Sequence, residues 1–267
     1  MAEQLAIGRD WVAYPAIRRI GLADLRAALA AGYADFAANR TDVVFLCLLY
    51  PVLGLVLSRL AVGYQVLPLL FPLAAGFALL GPVAGTGLYE MSRQRAAGHA
   101  VSFRTAFDVL RRPGLGAIVL LGLLLAALFL VWLQVALAIY ETFLGAGAPL
   151  SPGDFLHAVF ATAAGWRMII VGDAVGLLFA LLVFAVGVVS FPMLIDGRHG
   201  STTGERLSLA VGTSLRAVAA NRLPMLAWGL IVVAALVLGS LLLFVGLIVV
   251  LPVLGHATWH LYRRIVA

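Results

Sequence analysis

Long apolar runs dominate this sequence and restrict what it can fold into. Four are clear: Val43–Leu60, Leu67–Tyr89, Leu115–Tyr140 and Met168–Ile195. At about 1.5 Å per helical residue, each is long enough, or nearly so, to cross a hydrocarbon core of about 30 Å. Hydrophobic residues make up 63% of the chain and charged residues 11%, too few to cover a water-exposed surface. The sequence therefore predicts an all-α polytopic membrane helical bundle.

The last apolar stretch, Leu223–Tyr262, is too long for one span. As a single helix its 40 residues would extend about 60 Å, twice the hydrocarbon thickness. Two tight spans with a break near Gly239-Ser240 fit the bilayer better. Arg263 and Arg264 near the end of the chain favour the cytoplasm, which requires an even number of spans from a cytoplasmic N-terminus. We therefore expect six spans; one long kinked helix is the alternative.

The arginines give the predicted bundle an orientation. All 18 basic residues are arginine, and sixteen fall in segments that the six-span arrangement puts on one side. Those sixteen are Arg9, Arg18, Arg19, Arg26, Arg40, Arg93, Arg95, Arg104, Arg111, Arg112, Arg198, Arg206, Arg216, Arg222, Arg263 and Arg264. Only Arg59 and Arg167 fall near the other side. Because loop arginines favour the cytoplasm, the sequence predicts a multi-pass membrane protein with both termini in the cytoplasm.

Two short patterns recur along the chain. The tetrapeptide Ala-Ala-Asn-Arg occurs at residues 37–40 and 219–222, and the pattern Pro-Val-x-Gly occurs at 82–85 and 252–255. They indicate repeat-like units of about residues 21–98, 99–200 and 201–267, of which the middle one follows the plan loosely. Each unit is predicted to be a cytoplasmic amphipathic helix followed by a two-span hairpin. Residues 1–20 are predicted to be an N-terminal cytoplasmic segment and 21–267 a single membrane domain.

The three predicted cytoplasmic helices carry apolar residues at helical spacing. The residues are Leu22, Leu25, Leu29, Tyr33 and Phe36 in the first helix, Phe103, Phe107 and Leu110 behind a cap at Ser102 in the second, and Leu207, Val211, Leu215 and Val218 in the third. Asp24, Arg26 and Asp35 are predicted to lie away from the apolar face of the first. Thr202 and Glu205 form a capping-box pattern at the start of the third. Such helices are expected to orient the hairpins and contact anionic lipid headgroups, or alternatively to bind a partner.

Two histidines near the end of the chain are candidate metal ligands. His256 and His260 are four residues apart, so they share a helix face, but two ligands from one helix need others. Glu90, at the corresponding end of the second span, is a conceivable third ligand. Hydrogen bonding of interfacial histidines to headgroups or backbone is the favoured interpretation, and we predict no metal and no cofactor.

Asp173 is the one acid clearly inside an apolar run. An intramembrane carboxylate is costly and is by default a candidate functional group. Arg167 lies six residues earlier, so an ion pair or snorkelling would also satisfy it. Gln134 and Ser190 are nearly the only other polar residues deep in a span, fewer than a transporter usually has.

Two glycine pairs have the small-xxx-small spacing that lets membrane helices approach closely. They are Gly81 with Gly85 and Gly172 with Gly176. With 28 glycines in the chain, some such pairs arise by chance. Packing within the bundle is the favoured interpretation, and homo-oligomerisation is the alternative.

Three segments of the chain are distinctive: Phe191-Pro192-Met193-Leu194-Ile195-Asp196, the stretch 220–229, and the ending 251–264, which is the most specific. They resemble a family of predicted integral membrane proteins of unknown function that is common in proteobacteria. The resemblance covers the chain from about Ile20 onward. It implies an inner-membrane location and a multi-span fold, and it implies no activity.

The sequence favours a non-enzymatic role. It contains no nucleotide-binding loop, no zinc-protease or serine-hydrolase motif and no cysteine pair, and its arginines are not interleaved with aromatics as in nucleic-acid-binding proteins. We expect an accessory, assembly or interaction component of an inner-membrane complex. The alternatives are a small-solute transporter or channel using Asp173, and a metal- or haem-binding redox component using His256 and His260. Substrate, partner, biological process and oligomeric state are not specified by the sequence.

Overall fold

The computed structural model of the chain describes residues 14–38, 67–69, 71–73, 81–146, 151–241 and 245–266. In those ranges the chain is helical, with one isolated antiparallel bridge between Ile17 and Val266. The α-helices are α1 (Leu22–Ala38), α2 (Gly81–Ala84), α3 (Thr86–Ala96), α4 (Leu115–Leu144), α5 (Pro152–Phe160), α6 (Ala163–Gly187), α7 (Ser190–Asp196), α8 (Thr203–Ala220), α9 (Arg222–Leu241) and α10 (Leu247–Ile265). Two 3-10 helices span Leu67–Leu69 and Phe103–Arg111. The predicted all-helical class is confirmed.

Three helices of the described ranges are long and apolar enough to cross a membrane. They are α4, the nearly continuous α6 and α7, and α9. The predicted span Val43–Leu60 lies outside the described residues, and Leu67–Tyr89 is described only in part. The structure thus supports membrane-spanning helices, while the number six stays a prediction.

The stretch Leu223–Tyr262 forms two helices rather than one. α9 ends at Leu241 and α10 begins at Leu247, so the break falls a few residues after the predicted position at Gly239. The absence of a side chain at Gly239 matters here, because a Cβ atom would lie 2.8 Å from the Leu247 side chain. α9 and α10 pack against each other, which a single long helix would not allow.

The core lies where α1, α3, α7, α8 and α10 pack together, next to the segments that carry the arginines. We call this region the arginine-rich end. α10 packs there along α1 and also contacts α3, while α7 packs against α8 and α3. Large side chains such as Trp228, Trp259 and Phe191 are fully buried in this core. Burying one such ring stabilises a fold by about 1.5–3 kcal/mol.

The apolar face predicted for α1 is only partly correct. Leu25 and Phe36 are buried, but Leu22 and Tyr33 are 63% and 59% exposed. Asp35, predicted to lie away from the apolar face, is itself buried. Helical spacing alone predicts that a charged residue faces solvent. Here hydrogen bonds from other helices offset the cost of burying the Asp35 carboxylate.

The segments predicted to form the other two amphipathic helices are helical, but their packing differs from the prediction. The second is the 3-10 helix Phe103–Arg111, whose Phe107 and Leu110 are exposed. The third is α8, which begins with the predicted capping box: the Glu205 amide donates to Thr202 Oγ1 and the Thr202 amide to the Glu205 carboxylate, each at 3.2 Å. The buried face of α8 is formed mainly by small residues, with Leu215 of the predicted face exposed.

Asn221, in the second copy of Ala-Ala-Asn-Arg, fastens the N-terminal segment to the bundle. Its Oδ1 accepts from the Ile20 amide at 2.9 Å, and its Nδ2 donates to the Arg18 carbonyl at 3.1 Å. The Arg18 amide in turn donates to the Ile265 carbonyl at 2.8 Å. Asn221 is buried, so these bonds are protected from water. The first copy, residues 37–40, lies partly outside the described residues.

We expect Asn221→Ala to free residues 14–20 while leaving the helices in place. The substitution removes bonds to two backbone groups, each worth about 0.5–1.5 kcal/mol, and leaves those groups less satisfied. Amide hydrogen exchange measured on the full chain should speed up at Ile20 without a matching change in α9. Asn221→Asp is the control, because it keeps the acceptor for the Ile20 amide and loses only the donor. Unchanged exchange at Ile20 in Asn221→Ala would contradict this role.

Candidate functional site

A buried hydrogen-bond network centred on Asp35 joins three helices at the arginine-rich end. Asp35 Oδ2 accepts from Ser92 Oγ of α3 at 2.6 Å and lies 2.8 Å from His260 Nε2 of α10. Asp35 Oδ1 lies 3.1 Å from Nε of Arg95, also on α3. One carboxylate of α1 therefore receives donors from two other helices, α3 and α10.

The surroundings of Asp35 favour its ionised form. Burial by itself raises the pKa of the Asp35 carboxyl, but the hydrogen bonds from His260 and Ser92 outweigh it and hold the pKa below its usual range. Donors directed at a carboxylate stabilise the charged form in this way. Asp35 therefore contributes stability above its unfolded-state pKa, and that stability is lost only as the pH falls through the lowered folded-state value.

The same network fixes the proton on His256. Ser92 Oγ is 2.7 Å from His256 Nδ1, and its single proton is donated to Asp35. Nδ1 must then carry the hydrogen and donate to Ser92, which leaves Nε2 as an acceptor in the neutral ring. His256 is 1% exposed, and within the described ranges its Nε2 has no hydrogen-bond partner.

The arrangement contains the residue types of a serine hydrolase but not their roles. A catalytic histidine accepts the proton of the serine hydroxyl and is oriented by the acid. Here Ser92 donates to Asp35 directly, and His256 donates to Ser92. All three side chains are buried, so none is presented to a substrate. The network is suited to holding α1, α3 and α10 together.

A second buried carboxylate, Glu90 of α3, accepts hydrogen bonds from Arg112, which directly follows the 3-10 helix Phe103–Arg111. Its oxygens accept from Arg112 Nη2 at 2.7 Å and Nε at 3.1 Å, and from Arg93 Nη2 at 2.8 Å and Nε at 2.9 Å. Gln94 Nε2 adds a bond at 2.9 Å. Burial raises the pKa of Glu90, and the bonds from Arg112 and Gln94 oppose that change. Two guanidinium forks around one carboxylate form a strong, directional charge cluster.

Each of the three candidate metal ligands has a different hydrogen-bond partner. His260 pairs with Asp35 and His256 with Ser92, while the oxygens of Glu90 are occupied by arginines. In the part of the chain that is described, no three histidine, cysteine or acidic side chains are grouped so as to hold a metal ion. The favoured interpretation was hydrogen bonding to headgroups or backbone, and the described side-chain partners of the two histidines are Ser92 and Asp35.

Asp173 lies apart from both clusters, on α6. It lines a cavity of about 220 Å³ together with Phe71, Trp132, Gly172 and Gly176. The ion pair with Arg167 that we considered is not formed, because the Arg167 guanidinium instead donates to its own helix at the Ala163 carbonyl, 3.2 Å away. The acid is exposed and lies beside apolar and aromatic groups.

The glycine pairs differ in what they contact. A Cβ at Gly176 would lie 3.1 Å from the Trp132 ring of α4, a close approach between two helices. A Cβ at Gly85 would meet the hydroxyl of Tyr89, four residues along the same stretch of chain. At Gly81 and Gly172 a Cβ would have no described atom within 4 Å. Helix packing through these pairs therefore has geometric support at Gly176 alone.

Sequence reasoning missed Asp35 and Ser92 as members of a polar cluster. Their partners are 225 and 164 residues away in the chain, respectively, so no local pattern connects them. One usable signal was present, namely the spacing of His256 and His260 on one face of α10, which indicated a polar contact at that level. The identity of the facing acid required the packing of α1 on α10.

Comparison with known proteins gives one match. Residues 70–196 match a family described as "Predicted integral membrane protein (DUF2189)". No curated protein and no solved structure matches the chain. Of the three segments that carried the resemblance, the match contains only 191–196, and it is shorter than the expected coverage from Ile20 onward. Over residues 70–196, therefore, the chain is similar to a family of predicted integral membrane proteins of unknown function.

Proposed function

We propose that this chain is a non-enzymatic accessory or assembly component of a bacterial inner-membrane complex, with both termini in the cytoplasm. It contacts a different membrane subunit through the outer face of α9. The observation that carries the proposal is how little of α9 the rest of the chain covers. Only 17% of its most apolar 18-residue window is buried, against 28% for α4 and 39% for α6 with α7.

The uncovered face of α9 is long and continuous. Its members are Leu223, Leu226, Leu230, Val233 and Val237, which are between 52% and 79% exposed. Their spacing of three and four residues places them along one side of the helix. Small residues flank the row, including exposed Ala234, and small side chains let a second membrane helix approach closely. We call this row the α9 face.

The buried polar groups support a non-catalytic role. Ser92, His256 and Asp35 are bonded to one another in the core, and Glu90 is enclosed by arginines. Each of these groups acts on another part of the same chain. Their common effect is to hold the arginine-rich end as a rigid unit, from which α4, α6 and α9 extend.

Contact with anionic lipid is the second part of the proposal. Phe107 and Leu110 of the 3-10 helix are exposed, and exposed Arg104 and Arg111 flank them. Apolar side chains beside arginines are suited to the boundary between headgroups and acyl chains. Leu115, where α4 begins, follows only a few residues later, which keeps this element close to the membrane surface.

Site-specific photocrosslinking in native membranes tests the α9 face. A photoreactive residue at Leu230 or Val233 of the full chain should yield a discrete adduct with another membrane protein. Leu178 of α6, which is 66% exposed, is the matched control, and we expect it to yield lipid adducts only. Lipid adducts alone at all three positions would contradict the proposal. An adduct of twice the mass of the chain would also contradict it, because it would show pairing of two copies.

A further inference from the structure

The cavity beside Asp173 combines one acid with apolar walls. It has a volume of about 220 Å³, is half open to its surroundings, and is lined by residues of α4 and α6 and by Phe71. For comparison, an apolar cavity of about 150 Å³ in a protein interior holds a benzene molecule. The space beside Asp173 therefore suits a ligand about the size of one substituted ring.

Asp173 lines this space and is exposed, and no described residue supplies a counter-charge to its carboxylate. Among the described residues no side chain forms a hydrogen bond or ion pair with it, and the nearest arginine along its helix, Arg167, is bonded to the Ala163 carbonyl. Leaving a carboxylate unpaired in hydrocarbon is costly, so a cation that enters the cavity gains a large electrostatic attraction.

Aromatic rings and glycines shape the rest of the wall. Trp132 is held in place by donating from Nε1 to the Pro72 carbonyl at 3.1 Å and by contact with Phe179, whose ring centre is 5.6 Å away. The electron-rich faces of aromatic rings attract organic cations. Gly172 leaves room on the same side, because a Cβ there would meet no described atom within 4 Å.

We propose that this cavity binds a small monovalent organic cation, an ammonium that carries an apolar body of about one ring. A hard metal ion would need about six oxygen ligands, and the described residues of the wall offer one carboxylate. An anion would be repelled by Asp173, and a lipid tail would leave the charge unmatched. The site is independent of the α9 face, since it lies between α4 and α6.

Binding of a charged probe and its neutral isostere tests the site. The full-length protein is placed in nanodiscs of zwitterionic lipid, and binding of radiolabelled benzyltrimethylammonium is measured, with neopentylbenzene as the uncharged competitor. We expect saturable binding of one cation per chain and a preference for the cation of about tenfold or more. Asp173→Asn should abolish the preference, since it removes the charge and keeps the shape.

A second variant keeps the test decisive if Asp173→Asn fails to fold. Gly172→Leu fills the cavity and should weaken binding of both probes by about tenfold or more, because an occupied pocket excludes either ligand. Gly204→Leu on α8 is its control, since that Cβ also has no described atom nearby, and Glu141→Gln at the end of α4 controls for loss of an acid. Both controls should bind like wild type.

Three results would overturn the proposal. They are no binding of benzyltrimethylammonium by the wild type at millimolar concentration, equal binding of the two probes by the wild type, and full cation binding by a folded Asp173→Asn variant. The second of these would identify the cavity as a place for a lipid tail or an apolar segment. Crosslinking at the α9 face has a separate readout, so either proposal can fail alone.

Discussion

Gly32→Ala should lower the melting temperature of this protein by roughly 6–12 °C, although it adds only a single carbon. At Gly32 the backbones of α1 and α10 touch: a Cβ would lie 2.5 Å from the Ala257 nitrogen and 2.7 Å from the Ala257 Cα. Those are backbone atoms, so no side-chain rotation relieves the clash. The helices must separate, which we expect to cost about 3 kcal/mol.

Whether Gly32→Ala lowers or raises stability distinguishes the effect of helix packing from that of helix propensity. Alanine is favoured over glycine inside a helix by about 0.5–1 kcal/mol, so propensity alone predicts a more stable protein. The clash with α10 opposes that gain and is the larger effect. Separation of the helices would also stretch the bonds of Asp35, which lies three residues further along α1, to Ser92 and His260.

Thermal unfolding in detergent, followed by near-ultraviolet circular dichroism, measures the effect. Gly21→Ala is the matched control, because a Cβ at that position meets no described atom within 4 Å. We expect it to change stability by less than about 0.5 kcal/mol. If Gly32→Ala melts with the wild type, the close approach of α1 and α10 is not a determinant of stability.

The features that sequence predicted correctly are those fixed by local physics. The capping box of Thr202 and Glu205 requires residues three apart, and it forms as predicted. The apolar runs Leu115–Tyr140 and Met168–Ile195 became α4 and α6 with α7, because long uncharged helices satisfy their own backbone groups. The split of Leu223–Tyr262 followed from length, and the break lies between Leu241 and Leu247, beside the close approach of Gly239 and Gly246.

The features that sequence missed depend on contacts between distant segments. Asp35 was predicted to lie away from the apolar face of α1, yet it is buried, since Ser92 and His260 meet it from two other helices. Glu90 was considered as a metal ligand, yet Arg112, 22 residues away, occupies its oxygens. A single sequence does not specify which of several charges will meet across helices, because that choice is made by tertiary packing.

Glu90→Gln should destabilise the protein by about 3 kcal/mol. The Glu90 side chain is fully buried, and the Arg93 and Arg112 side chains are only 20% and 24% exposed. Removing the carboxylate charge leaves two guanidinium groups close together in a poorly solvated place. The loss of attraction then adds to repulsion between the arginines.

The burial of Glu90, rather than the mere presence of an ion pair, determines how much stability Glu90→Gln removes. Asp24 and Arg264 form a pair at 2.9 Å, close to the 2.7 Å between Glu90 and Arg112, but Asp24 and Arg264 are 33% and 41% exposed. Water solvates either partner when the other is removed, so Asp24→Asn should cost less than about 1 kcal/mol. A similar loss of stability in both variants would contradict the burial argument. In a double-mutant cycle, Arg112→Gln should cost less in the Glu90→Gln background than alone, because its counter-charge is already gone.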